Sequence, residues 1–390
     1  MFTPNINFKN FKNFNLNKHS KKILNNIKKN KWLDQFKIIE TLKPNYKYSY
    51  NKNIVKKYKA YKNFRIIGIG GSILGSEAIY QFLNFKIKKN FHFINNLQPS
   101  IKNKFENNKT LNIIVSKSGN TLETIANSNV IIKSSNNHNL FITEKKNSYL
   151  TNLAKKLKAE VLEHRNYIGG RYSVLSEVGM LPAELMGLEE KKFKRLNNLI
   201  RNNNFLNSLI KNVFSTIYLI NNKKYNSVIL NYDEDSENIF KWYQQLIAES
   251  LGKKSRGIFP IISSMPKDNH SLLQLYLDGP KNNFFTFYNV KEKYSQKLSN
   301  VLIIKNQNYL KNKNLIHILD SQREATMSVF KKKKLPFRCI ELKNRSEESL
   351  GELFCFFILE TILLGKIMKV NPYNQPSVEL IKKETKKILI

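Results

Sequence analysis

The sequence predicts an α/β protein of two doubly wound parallel-sheet domains, with an N-terminal helical arm and a C-terminal helix. Three observations predict it. From Phe64 onward, apolar runs of four to six residues alternate with longer amphipathic segments, the rhythm of strand–helix units on a parallel sheet. That rhythm comes in two sets, over residues 61–188 and 189–370. Two of the early strands also run directly into glycine- or serine-rich turns that open helices, at Gly68–Ser72 and Ser116–Thr121.

Residues 1–60 are rich in Asn, Lys and aromatic side chains, have weak periodicity, and read as the helical arm. In the first domain, 61–188, strands are expected at Arg65–Ile69, Phe91–Ile94, Leu111–Val115, Leu140–Thr143 and Val161–Glu163. Helices fit at Ile73–Leu83, Thr121–Ile132 and Tyr149–Leu157. A helical stretch, Glu189–Ile220, opens the second domain, 189–370. Its strands are expected at Ser227–Asn231, Gly257–Ile262, Phe284–Asn289 and Leu335–Leu342. Its helices are expected at Glu237–Leu251, His270–Leu277, Asp320–Phe330 and Glu347–Lys366. Pro372 and Pro376 break the chain before a final helix, Ser377–Ile388, in the segment 371–390; that helix must pack back somewhere.

Charge would first suggest nucleic acid or an anionic membrane, since 66 Lys and Arg face 29 Asp and Glu for a net +37. The distribution argues against both. Lysines are spread along the whole length beside Asn and Ile, as in Lys28-Lys29-Asn30-Lys31 and Asn221-Asn222-Lys223-Lys224, and no single element concentrates them. A basic surface would still attract anionic sugar phosphates. Cys339 and Cys355 are too few and too far apart for a disulfide framework or a zinc knuckle, which fits a reducing, cytoplasmic setting. Met1–Asn30 lacks the apolar core of a signal peptide. The apolar stretch Leu353–Met368 is interrupted by Glu360 and Lys366 and is shorter than the roughly 20 residues that span a bilayer, so it reads as a buried helix.

Five motifs carry the chemistry. Gly68-Ile69-Gly70-Gly71-Ser72 is a glycine turn between strand and helix, suited to close approach by an anion. Ile73 stands where a dinucleotide fingerprint needs glycine, and no acidic residue follows at the ribose position. Ser116-Lys117-Ser118-Gly119-Asn120-Thr121 brings three hydroxyls, an ammonium and free N–H groups to one helix start. That exceeds what helix capping requires and suits a phosphate monoester. Gly169-Gly170-Arg171 aims a cation from a freed backbone, which could stabilise an oxyanion or could be an ordinary surface turn. Gln245, Glu249 and Lys253 fall on one helical face; taken alone, that spacing fits a solvated ion pair at least as well as a general base. His270 follows the polar loop Lys267-Asp268-Asn269 at an apparent helix start.

In this order the five motifs, together with Asn371-Pro372-Tyr373-Asn374-Gln375-Pro376-Ser377-Val378-Glu379-Leu380-Ile381-Lys382, resemble the phosphoglucose isomerase family. The similarity runs from about Phe64 to the C-terminus. The resemblance implies two sugar-isomerase (SIS) domains of three-layer αβα architecture and an aldose–ketose isomerisation of a sugar phosphate. It implies that Gly71, Ser72, Ser116, Lys117, Ser118, Thr121, Gln245 and Gln375 bind substrate, and that Arg171 steadies the charged intermediate. Glu249 would move the proton between C2 and C1, and His270 and Lys382 would open the sugar ring, with Lys383 an adjacent candidate. It further implies a homodimer with His270 donated across the interface, and no cofactor or metal. Asn269, Ser377 and Ile381 depart from residues frequent in the family at those places. The competing readings are a non-catalytic sugar-phosphate sensor on the same fold and a nucleic-acid binder suggested by charge alone.

Overall fold

The computed structural model describes residues 2–11, 36–101, 105, 109–133 and 138–390. The basic run at Lys28–Lys31 and much of the expected arm lie outside these. The strands are β1 (Ile6–Lys9), β2 (Asn63–Ile67), β3 (Asn90–Ile94), β4 (Thr110–Val115), β5 (His138–Thr143), β6 (Glu160–Glu163), β7 (Asn226–Asn231), β8 (Phe259–Ser264), β9 (Asn283–Val290) and β10 (Phe337–Leu342). The described helices are α1 (Lys52–Lys59), α2 (Leu74–Phe82), α3 (Leu122–Lys133), α4 (Tyr149–Lys156), α5 (Glu177–Met186), α6 (Leu196–Arg201), α7 (Asn203–Asn221), α8 (Glu237–Leu251), α9 (Leu273–Asp278), α10 (Leu315–Lys332), α11 (Glu347–Ile367) and α12 (Val378–Leu389).

The strands form two sheets, ordered β3-β2-β4-β5-β6 and β1-β10-β9-β7-β8. The first is parallel throughout, and β4 is buried along its whole length, as a strand covered on both faces must be. The second is parallel except at its edge, where β1 pairs antiparallel with β10. This corrects two expectations at once: the arm contains a strand, and the second sheet is mixed. Short-range periodicity does not show it because its partner lies more than three hundred residues away. Ile6 is buried and Phe8 packs partly buried beside it. Phe2 and Phe8 lie against Phe356 of α11, and Asn5 and Thr3 bond the Glu352 carboxylate. The result covers the otherwise open edge of β10.

Helix α5 has no counterpart among the expected elements, because Pro182 sits inside it. A proline there removes the bond to the Val178 carbonyl. The Ser76 hydroxyl of α2 donates to that carbonyl at 3.1 Å, so the helix survives with its acceptor satisfied. Gly187, at φ +92°, ends it. The helix expected at His270–Leu277 divides into a 3-10 turn, Lys267–His270, and α9.

The two sheets share one core. Helix α2 packs along α8, and α11 lies against both α7 and α8. As expected, α11 is buried almost end to end. Its interior Glu360 is ion-paired with buried Arg338 and accepts from Asn212 at 2.5 Å and Tyr243 at 3.3 Å. No helix among the described residues is long and apolar enough to cross a membrane.

Candidate active site

Strands β2 and β4 are neighbours, yet the helix after β2 leads to β3 on one side and the helix after β4 leads to β5 on the other. Such a switch opens a crevice at the carboxyl ends of the two strands, where α/β proteins hold their ligands. The Gly68–Ser72 and Ser116–Thr121 turns form its walls. Gly70 takes φ +57°, and a Cβ on Gly71 would lie 2.1 Å from the carbonyl carbon of Gly170. Glycine at 71 therefore lets the 3-10 turn Gly170–Leu175 press against this loop, where the Ser173 hydroxyl donates to the Gly71 and Gly170 carbonyls.

On the opposite wall the Ser116 and Thr121 hydroxyls bond each other at 2.8 Å, and Ser118 lies 3.5 Å from Thr121. Helix α3 starts one residue later, so its free N–H groups face the same place. Lys117 turns aside: its ammonium donates to the Asn166 carbonyl at 2.6 Å and lies 3.8 Å from the Glu144 carboxylate. Burial holds its pKa below the ordinary lysine value, with Glu144 opposing. The three hydroxyls are thus together, while the cation rests beside a carboxylate that sequence reasoning does not select.

Arg171 is the hub of the site. It is 2% exposed, and each of its five N–H donors has an acceptor. Nε donates to Ser250 Oγ at 2.8 Å, one terminal nitrogen to Glu249 Oε2 at 3.0 Å and Gln375 Oε1 at 2.6 Å, and the other to the carbonyls of Pro372 (2.6 Å) and Asn374 (3.2 Å). Trp242 Nε1 holds the Arg171 carbonyl, and the Tyr172 hydroxyl bonds both Ser250 and Pro372. Sequence reasoning misses Trp242 and Ser250 of α8; Trp242 lies at helical spacing from Gln245 and Glu249, whereas Ser250 is adjacent to Glu249 and carries no such signal.

Glu249 lies on the last turn of α8 with its side chain 29% exposed. Its second oxygen accepts from Gln245 Nε2 at 3.0 Å. That same amide nitrogen is 2.7 Å from where a Cβ on Gly70 would stand, so a side chain at 70 would displace it as well as be strained at φ +57°. Gln245 Oε1 is buried with no hydrogen-bond partner among the described residues. Gly68 in turn abuts the Val115 carbonyl, one residue before Ser116. A continuous line of contact therefore joins Glu249 to the hydroxyl cradle through Gln245 and the glycine loop. Together the parts offer an anion cradle at one end and a carboxylate–guanidinium pair at the other.

Gln375 joins this cluster; His270 and Lys382 stand outside its hydrogen bonds. His270 is exposed, and no side-chain hydrogen bond or ion pair among the described residues holds it. Lys382 lies on α12, which buries no residue, and pairs with Glu379 at 2.7 Å; Lys383 is exposed on the same helix. Within the single chain α12 therefore keeps its faces open, and the surface it packs against is not among the described residues of this chain. Among the described residues no group of three or more His, Cys, Asp or Glu side chains is placed to hold a metal ion.

Comparison with known proteins adds the following. A family model described as phosphoglucose isomerase matches residues 46–259. A glucose-6-phosphate isomerase of Methanocaldococcus jannaschii is 35% identical over 355 residues, covering 86% of each chain. Among solved structures, a hypothetical protein from Thermus thermophilus superposes with a TM-score of 0.83 at 23% identity, covering 95% of each chain. A glucose-6-phosphate isomerase from Chlamydia trachomatis superposes at 0.72 and 19% identity, over 86% of this chain and 71% of that one. These two structural matches show the fold: two αβα units built on largely parallel sheets.

Proposed function

The chain belongs to the phosphoglucose isomerase family, and on that premise we propose that it interconverts glucose 6-phosphate and fructose 6-phosphate through an enediolate. The observation that carries this is the Arg171–Glu249 pair at 3.0 Å, linked through Gln245 to the loop beside the Ser116–Thr121 cradle. The phosphate would sit on the cradle hydroxyls and the first turn of α3, with Ser72 alongside. That fixes the far end of the sugar and presents C1 and C2 to Glu249. The carboxylate takes the proton from one carbon and returns it to the other. Negative charge grows on the sugar oxygens in between, and the Arg171 guanidinium supplies a fixed cation beside them. Gln245 Oε1, buried and unpartnered among the described residues, would accept a sugar hydroxyl. A sensor would need the cradle alone, whereas here a carboxylate is held in a defined geometry beside it. A coupled assay that converts fructose 6-phosphate to glucose 6-phosphate in the presence of a metal chelator tests the reading; no turnover above background would overturn it.

Ring opening would use His270 and Lys382. Because His270 is exposed and unpaired among the described residues, we assign it to the site of a second copy, in a homodimer. Exposed apolar side chains support association: Val301 and Tyr294 are 93% and 92% exposed in the segment between β9 and α10, and Ile381, Ile388 and Leu389 line α12. The two free cysteines suit a cytoplasmic location. Mixing His270→Ala chains with Glu249→Gln chains is expected to restore about a quarter of the parental activity after random re-association, and about half in the mixed dimers themselves, because each mixed dimer holds one of its two sites with both groups. No recovery in dimers shown to be mixed would remove the partner subunit's His270 from the site.

A further inference from the structure

The last turn of α8 is gripped from two sides. Arg171 binds the side chains of Glu249 and Ser250 at 3.0 and 2.8 Å. From the other side, the Lys253 ammonium donates to the main-chain carbonyls of the same two residues, at 2.5 and 2.7 Å. These are carbonyls that a helix end leaves without intrahelical partners, and a cation there also opposes the negative end of the helix dipole.

The chain shapes itself to place that ammonium. Gly252 N–H closes on the Ala248 carbonyl, and Lys253 and Arg256 exchange main-chain hydrogen bonds at 2.9 and 3.0 Å. Between them Lys254 and Ser255 take φ +54° and +56°, the left-handed region that glycine and asparagine favour in such two-residue turns. Two adjacent residues with side chains in that region are strained, and strain of this kind gathers at functional sites. The turn reverses the chain, so that Gly257 comes back against Gly252 and the Leu251 carbonyl, while the Lys253 side chain reaches back to the last turn of the helix.

We propose that Lys253 is a positioning residue for the proton transfer: it fixes the backbone of Glu249 and Ser250 so that Arg171 meets both of their side chains in one geometry. This rests on the reading of Glu249 as the base. The charged groups that face Lys253 are Arg171 and Glu249, with Lys254 and Arg256 on its own turn. Burial, and then Arg171, bring its pKa down to about 8, with Glu249 opposing. Below that pH the ammonium grips with three donors and a charge; above it the neutral amine has two donors and no charge, and the grip loosens.

The test is steady-state kinetics of the full chain and its Lys253→Met and Lys253→Arg variants, with fructose 6-phosphate, from about pH 6 to about pH 9.5. Lys253→Met is expected to lower kcat by about ten-fold or more at neutral pH with KM within about two-fold, since a misplaced catalytic group costs turnover rather than binding. Lys253→Arg keeps a cation that does not titrate in this range; it is expected to retain much of the activity and to move the alkaline fall of kcat upward by about one pH unit or more. A Met variant with parental kcat, or an Arg variant with the parental alkaline limb, overturns the proposal. If the Met variant does not fold, the alkaline limb of the Arg variant decides alone. Failure of the underlying reading looks different: Glu249→Gln would then keep near-parental turnover, whatever the Lys253 variants do.

Discussion

Replacing Glu249 with glutamine is expected to lower kcat on fructose 6-phosphate by about 10²–10⁴-fold, the range that a positioned general base supplies. The substitution is nearly isosteric, so the fold and the cradle stay in place and KM should change little. An amide has one acceptor where the carboxylate has two, so either Arg171 or Gln245 loses its partner. That local loss falls on a side chain 29% exposed, where water can replace the missing acceptor. The measurement is kcat and KM by the coupled assay, with fructose 6-phosphate binding followed independently. Turnover within about ten-fold of the parent would remove Glu249 from the base role. A loss of binding equal to the loss of turnover would make Glu249 a substrate ligand instead.

Much of this site is legible in the sequence because its parts are local. The glycine turn at Gly68–Ser72 and the hydroxyl turn at Ser116–Thr121 announce themselves by composition, and each follows a strand recognisable as a short apolar run. Helix α8 is legible with both ends in place, since Glu237 opens it and Gly252 closes it. The spacing of Gln245 and Glu249 is visible, but its meaning is not: the same four-residue interval describes any solvated pair. Arg171 decides between the two, and it comes from a turn seventy-eight residues earlier. What cannot be read depends on partners distant in the chain. Strand β1 exists because β10 offers an edge, and α5 passes through Pro182 because Ser76 serves the carbonyl that proline abandons. Nor can periodicity show that Lys117 rests on the Asn166 carbonyl and beside the Glu144 carboxylate, since a main-chain acceptor carries no residue signature and both partners lie well along the chain from it.

Arg171→Lys is expected to be nearly as damaging as loss of the base, for a different reason. The guanidinium has five donors in a fixed fork, and all five are used; an ammonium has three, without the planar geometry. At least two of the five acceptors must therefore lose their bonds, in a place where Ser250 and the Pro372 carbonyl are shielded from water. Two of the acceptors, the carbonyls of Pro372 and Asn374, belong to the segment that leads to α12, and Gln375 is a third member of it. Arg171 is thus both the cation beside the reacting carbons and the tether of the C-terminal tail. Charge is conserved in the substitution, so a purely electrostatic role would leave much of the activity. A geometric role predicts a fall in kcat of about 10²–10³-fold, as for loss of an aligned donor at a developing oxyanion, together with faster proteolytic cleavage after residue 370. Parental kcat with unchanged tail protection would show that the fork geometry at Arg171 is dispensable; lost turnover with a protected tail would confine the fork's contribution to its bonds beside Glu249 and show that the tail is held without it.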